Sequence, residues 1–437
     1  MALGSLPPAV RQPVPSDTGR AWVDRLAANE CPAFTTRRKR RTESSGASHD
    51  PIVWVAAKGC NVLDADGNRY VDLTGGFGVA LIGHSHPAVV GAVQAQAQTL
   101  LHALGDLHPS DRKISLLERL CALGPWKKTR GMLSLSGSDA ITAALKTAAL
   151  ATGRSGVLAF RGSYHGLGYG PLSVSSYSER FRQPFEAQLN PNVQFAPWPS
   201  NADDPSPFEP TAIDWSQIGA VLFEPVQGRN GVRIPAPGFL KAVESACRDH
   251  GAVLIADEIF SGLGRCGSWW RSVAEGCTPD IVCVGKALGG GLPISACLGS
   301  EEVMSAWGSP DQEAIHTGTF YGNPLSAAAA LATLDVIESE DLVSACAARG
   351  ASFAAMLEDA ELRGVRQLRQ VGLMLGVELS EPQAALRVSR ELLERGYLVL
   401  PAGQSANVVQ LLPPVTLSDA RFVEFVDSLA TTLRSSP

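Results

Sequence analysis

Between about residues 130 and 300, short unbroken apolar runs alternate with stretches of helical periodicity. The runs at 157–160, 220–223, 252–256 and 281–284 contain no charged or hydrogen-bonding side chain other than a thiol. A strand open on one face alternates apolar and polar positions, whereas a strand covered on both faces is apolar throughout. These runs therefore predict buried strands of a mostly parallel sheet with helices on both sides, an α/β architecture.

The flanking regions read differently. Val62, Leu63 and Asp64, then Tyr70, Val71, Asp72 and Leu73, bracket the turn sequence D-A-D-G-N and predict a hairpin. Beyond the G-H-S-H-P stretch at 83–87, helical spacing runs to Leu101 and again from Asp111 to Leu123. An alanine-rich helix is expected at about 327–336 and a last helix from Ala420 to Leu433. The implied division is an N-terminal tail or strap over 1–50, part of a small domain at 51–80, a large domain at 81–330, and the remainder of a small α+β domain at 331–437. The Pro/Asp/Ser-rich stretch at about 200–210 reads as a surface loop.

Composition narrows the function classes. With 437 residues, 45% of them hydrophobic, the chain can bury more than one compact core. Its formal net charge of -6 gives no overall electrostatic footprint for nucleic acid, so a small-molecule substrate fits better. The basic run from Arg37 to Arg41 reads as a docking patch or, more simply, a solvated segment. The nine cysteines form no C-x-x-C pair and several lie in apolar runs, so they read as reduced core thiols. No stretch of eighteen apolar residues occurs, and a cytoplasmic protein free of membrane contact is expected. The eight histidines show no metal-binding helical pair, so no metal is expected.

Ligands of open α/β sheets gather beyond the carboxyl ends of the strands, which directs attention to Glu224, Asp257 and Lys286. Lys286 follows a buried run by one glycine and precedes three more glycines. Desolvation there lowers a lysine's pKa and frees its amine to attack an aldehyde carbon, although a strand-end lysine reaching for solvent has the same sequence signature. Asp257 ends another buried run, where its carboxylate could pair with a pyridine nitrogen and keep it protonated, cap a helix or bind a metal. Gly137 and Ser138 open a small-residue helix, a site for a phosphate or a plain N-cap. Tyr164 and His165 lie among glycines, where an aromatic face could stack on a planar cofactor or pack on the core. Thr317 and Thr319 flank Gly318 before the alanine-rich helix, a second candidate phosphate contact.

These segments resemble the class III, ω-aminotransferase-like branch of the fold type I pyridoxal-phosphate enzymes. The resemblance runs from about Pro51 to Leu433 through G-H-S-H-P, S-G-S-x-A, Y-H-G, E-P-V-Q-G, A-D-E-I, G-K-A-L-G-G-G-L-P and T-F-x-G-N-P. It implies a large domain with a seven-stranded, mostly parallel sheet, and a smaller α+β domain from both chain ends. It also implies pyridoxal 5'-phosphate held as a Schiff base by Lys286, Asp257 on the pyridine nitrogen, Gly137 and Ser138 on the phosphate, and Tyr164 stacked on the ring. Thr319 would reach the phosphate bound by the neighbouring subunit, so a homodimer follows. The implied reaction is ping-pong transfer of an amino group between an amine or amino-acid donor and a carbonyl acceptor.

Three positions depart from the family pattern. The usual D-E-x-Q ends in Phe260, so the glutamine that contacts the cofactor's 3'-oxygen is missing. The arginine that grips a substrate α-carboxylate in many members is Gln410, and the acidic residue that usually pairs with it is Arg229. Charge has moved across the site, so that either Arg229 receives a substrate carboxylate or the substrate has none there; Phe77 is a further pocket candidate. An aminomutase or amino-acid racemase on the same scaffold is the main alternative, and a non-catalytic binding or regulatory protein the lesser one.

Overall fold

The computed structural model describes residues 3–45, 48–199, 208–308 and 313–435. The chain divides into two compact units, Met1–His86 with Cys346–Pro437, and Pro87–Ala345. Most of the expected surface loop, residues 200–207, lies outside the described residues. Among those described, no helix is long and apolar enough to cross a membrane.

The second unit is built on one seven-stranded sheet. Its strands lie in the order Thr129–Ser134, Ser295–Ser300, Ile281–Val284, Val253–Asp257, Ile218–Phe223, Gly156–Phe160 and Val193–Ala196. Only Ser295–Ser300 runs against its neighbours; the last five strands are mutually parallel. The unbroken runs are apolar because both faces are covered: every residue of Gly156–Phe160, Ile218–Phe223, Val253–Asp257 and Ile281–Val284 is buried. On one face the helix Gly137–Thr152 sets Ala140, Ile141, Ala143, Ala144 and Ala148 against Ala159, Leu222, Ile255 and Cys283. Small side chains let helix and sheet approach closely, so the core fills without voids.

The helix ends follow from local chemistry. Ser136 and Asp139 form a reciprocal capping box at the start of Gly137–Thr152, and Gly153 ends it in the left-handed region at φ 66°. The alanine-rich helix is longer than its sequence period suggests, Pro324–Ser339, because Asn323 caps it and Pro324 supplies a first-turn residue that needs no N–H partner. It packs on Pro87–Thr99 and Asp111–Leu123.

The first unit holds two four-stranded sheets. The expected hairpin is present as Asn61–Asp64 paired with Arg69–Asp72, flanked by Trp54–Lys58 and, in parallel, Tyr397–Leu398. Val365–Val371, Met374–Leu379, Val408–Leu411 and Leu400–Ala402 form the second, wholly antiparallel sheet. Phe353 and Phe422 stack at 3.9 Å between centroids within this unit's core, beside Phe425. Gly350 faces the turn at Gly372, where a Cβ would overlap the Gly372 carbonyl oxygen. Neither backbone can yield easily, so Gly350→Ala is expected to lower stability by about 1–3 kcal/mol, read as a fall in the denaturant midpoint at unchanged slope.

The first described residues of the chain dock on their own unit. Ala9 bridges Arg69 in both directions at 2.8 and 3.0 Å, and the segments around Gly4–Leu6 and Arg11–Gln12 are held by the side chains of Asn61 and Asn68. Two helices follow, Asp17–Asn29 and Pro32–Ser45. The basic run lies on the second of these, with Arg38 paired to Glu30 and with Arg37, Lys39 and Arg40 exposed. All nine cysteines are free; seven are buried as expected, Cys121 is half-buried and Cys31 is exposed, because the helix that carries Cys31's neighbours has no apolar face to bury.

Candidate active site

The carboxyl ends of the five parallel strands lie along one edge of the sheet, and the chemistry-bearing side chains of the second unit cluster there. Asp257 closes its strand and is 5% exposed. Its Oδ2 lies 2.7 Å from His165 Nδ1, and its Oδ1 accepts the Ile259 backbone N–H at 3.1 Å. The His165 ring is fully enclosed, and among the described residues its Nε2 has no hydrogen-bond partner. The neighbouring Glu258 points elsewhere: its carboxylate accepts Ser272 N–H at 2.7 Å and Ser272 O–H at 2.8 Å, tying down a loop.

Lys286 sits two residues beyond its strand, after Gly285, at φ 42°, a left-handed backbone uncommon for a residue with a Cβ. Gly285 precedes it, and Ala287 and Leu288 separate it from the glycines at 289–291. Surrounding protein desolvates the amine and pushes its pKa down to about 8, against the opposing pull of Asp257 and Glu224 and with help from Arg229. Among the described residues no hydrogen-bond acceptor reaches the amine. It lies over the ring of Phe260, with Nζ 4.0 Å from the centroid.

Glu224, noticed in the sequence only as a strand-end acid, ties two loops together. Its carboxylate accepts the Tyr164 N–H at 2.9 Å and the Gly228 N–H at 3.2 Å, and burial raises its pKa to about 7. A long-range tie of this kind leaves no local sequence signal. Arg229 lies on the turn so anchored, its guanidinium carbon 4.5 Å from the Tyr164 ring centre, 5.1 Å from Tyr177 and 5.6 Å from Phe181. Among the described residues no carboxylate pairs with it.

At the start of Gly137–Thr152 the backbone N–H groups of Gly137 and Ser138 have no partner among the described residues, while Ser138 Oγ accepts the Gly168 N–H at 3.2 Å. A Cβ at 137 would stand 2.7 Å from Ile259 Cδ1, so glycine is what allows Ile259 to lie over the helix start. Thr319 is exposed and lines a small depression with His102, Lys113 and Tyr321. Phe77 and Gln410 belong to the first unit. Phe77 is 65% exposed at φ 63°, and Gln410 is 3% exposed within its antiparallel sheet.

A free amine of lowered basicity, a buried carboxylate steadied by a histidine, and open N–H groups at a helix start could together accept an aldehyde, a pyridine nitrogen and a phosphate. That donor set suits pyridoxal phosphate, and the orphaned N–H groups in particular are what its phosphate requires.

Comparison with known proteins agrees. The family described as aminotransferase class-III matches residues 43–433. Acetylornithine aminotransferase of Methanopyrus kandleri is 37% identical over 389 residues, covering 89% of this chain and 96% of its own. The enzyme of the same name from Corynebacterium efficiens is 38% identical over 391 residues, covering 88% and 92%. The solved structure of an amine transaminase from an uncultivated Pseudomonas species, in its PLP-bound form, superposes with a TM-score of 0.81 at 29% identity, covering 89% of this chain and 95% of that one. The chain belongs to the class III aminotransferases and is a pyridoxal-phosphate-dependent transaminase of fold type I.

Proposed function

We propose that this transaminase takes its amino group from a donor bearing a carboxylate, which Arg229 receives, and that Lys286 is the residue that both holds the cofactor and moves the proton. The observation that carries the reading is the amine of Lys286, desolvated and without a hydrogen-bond partner, among Asp257, Glu224 and Arg229. Bound pyridoxal phosphate supplies an aldehyde carbon and an electron-withdrawing ring. Asp257 keeps a proton on the ring nitrogen, with His165 fixing the carboxylate. Gly137 and Ser138 hold the phosphate through backbone N–H groups, and Tyr164 covers the ring face. Lys286, once displaced by the donor, takes the proton from the donor's amino-bearing carbon.

Arg229 is suited to a carboxylate because its guanidinium is oriented by aromatic faces and, among the described residues, has no acid to satisfy it. That two similar proteins are named acetylornithine aminotransferase supports a donor of this class. Thr319 belongs in this reading to the phosphate site of a second copy, making the working unit a homodimer; its exposed hydroxyl supports this. Nine free thiols fit the reducing cytoplasm.

Borohydride reduction of the protein with pyridoxal phosphate, followed by peptide mapping, is expected to leave the label on Lys286, and a label elsewhere would overturn the assignment. Conversion is then followed with matched amines that do or do not carry a carboxylate. Arg229→Gln is expected to raise KM for the carboxylate donors about 10- to 100-fold and leave that of the plain amines unchanged. Equal effects on both would remove Arg229 from the donor site.

A further inference from the structure

We propose that Phe260 is a positioning residue for Lys286: its ring face holds the ε-ammonium whenever the amine is free, and Gly228 is the position that admits the ring. The inference rests on the reading of Lys286 as proton carrier, and two independent geometric facts support it. Lys286 Nζ lies 4.0 Å from the Phe260 ring centre, within the range of a cation–π contact, and among the described residues no oxygen competes for it. Behind the ring, a Cβ at residue 228 would stand 2.9 Å from Phe260 Cδ1, 3.1 Å from Cγ and 3.2 Å from Cε1. The ring is thus wedged between a backbone without a side chain and the amine it faces.

Gly228 is itself fixed, since its N–H is held by Glu224 at 3.2 Å. The wedge cannot relax by moving the turn without breaking that bond. A chain of position therefore runs from Glu224 to Gly228, to the Phe260 ring, to the amine.

The chemical consequence concerns the moment after proton pick-up. Burial disfavours an ammonium at this place, and Arg229 adds repulsion, while Asp257 and Glu224 attract from a distance. A ring face next to Nζ stabilises the charged form at short range without offering it an acceptor that would trap it. Lys286 can then carry its proton and release it, whereas a carboxylate at position 260 would hold the ammonium in an ion pair.

The test uses the whole protein freed of cofactor, so that it reads the lysine alone. The rate of amine acylation at Lys286, followed by peptide mass spectrometry across pH, gives the midpoint at which the amine becomes neutral. Phe260→Leu keeps an apolar side chain but removes the ring, and is expected to lower that midpoint by about 0.4 to 1.5 pH units. Phe260→Tyr keeps the ring and is expected to leave it in place. A leucine variant with an unchanged midpoint, or a tyrosine variant that shifts as far as leucine, would overturn the proposal.

Gly228→Ala supplies the second arm. It is expected to displace the ring and slow turnover, and adding Phe260→Leu to it is expected to recover part of the loss by making room for the new methyl group. Losses that simply multiply would show that Gly228 does not serve the ring. If the Phe260 variants shift the midpoint as expected but Lys286→Ala keeps its kcat, the positioning contact stands and the proton-carrier reading fails; unshifted variants with an inactive Lys286→Ala separate the two in the other direction.

Discussion

Lys286→Ala is expected to reduce transamination by roughly four orders of magnitude or more, with the loss falling on kcat. No other amine in the cluster can replace it. Among the described residues of the cluster the other nitrogen base is His165, which is enclosed and engaged to Asp257 at 2.7 Å. The variant is also expected to keep its fold, because the strand before it ends at Val284 and the cluster loses a desolvated amine that contributes no hydrogen bond. Single-turnover measurements with pyridoxal phosphate and donor separate the missing proton transfer from mere loss of cofactor, and a variant retaining a tenth of wild-type kcat would exclude Lys286 as the proton carrier.

Asp257→Ala carries the second largest expected effect, about a thousandfold in kcat with a simultaneous loss of stability. The two consequences have different origins. Activity falls because the charge that would keep the ring nitrogen protonated is gone. Stability falls because His165, whose Nε2 already lacks a partner, would be left with both ring nitrogens unsatisfied in an enclosed site, at about 1–3 kcal/mol. Asp257→Asn keeps an acceptor for His165 and removes the charge. It should therefore restore most of the thermal midpoint without restoring kcat, and equal recovery of both would show that Asp257 acts only as a structural support.

The sequence made some of this visible and hid the rest, for physical reasons that differ from place to place. Strands covered on both faces announce themselves as unbroken apolar runs, which is why 157–160, 220–223, 252–256 and 281–284 were legible. Thr129–Ser134 and Ser295–Ser300 were not, since they read T-R-G-M-L-S and S-A-C-L-G-S and mix small, polar and apolar residues. Ser295–Ser300 is also the strand that breaks the parallel pattern, and an antiparallel insertion leaves no signature in the strand itself.

Within the site, the residues that end strands or open a helix could be named because position in a secondary element restricts what they can do. Glu224 as a tie between the Tyr164 and Gly228 loops, and Phe260 as a neighbour of the Lys286 amine, could not. Both depend on contacts between segments far apart in the chain, and Phe260 in particular registers in sequence only as the absence of an expected glutamine. Arg229 occupies the middle ground: its exchange with Gln410 was apparent as a change of charge, but the three aromatic rings around its guanidinium come from segments whose proximity only folding creates.

The docking of the chain's first residues has a practical corollary. Asn61 and Asn68 are both fully buried, and their amides spend their hydrogen bonds on the backbone of Gly4, Leu6, Arg11 and Gln12. Trimming the chain to where the family match begins, at residue 43, would therefore take from these two buried amides their backbone partners and leave strand Arg69–Asp72 without its bridge to Ala9. Removal of residues 1–42 is therefore a loss to the fold itself, since each of those bonds ends on a side chain or strand of the first unit.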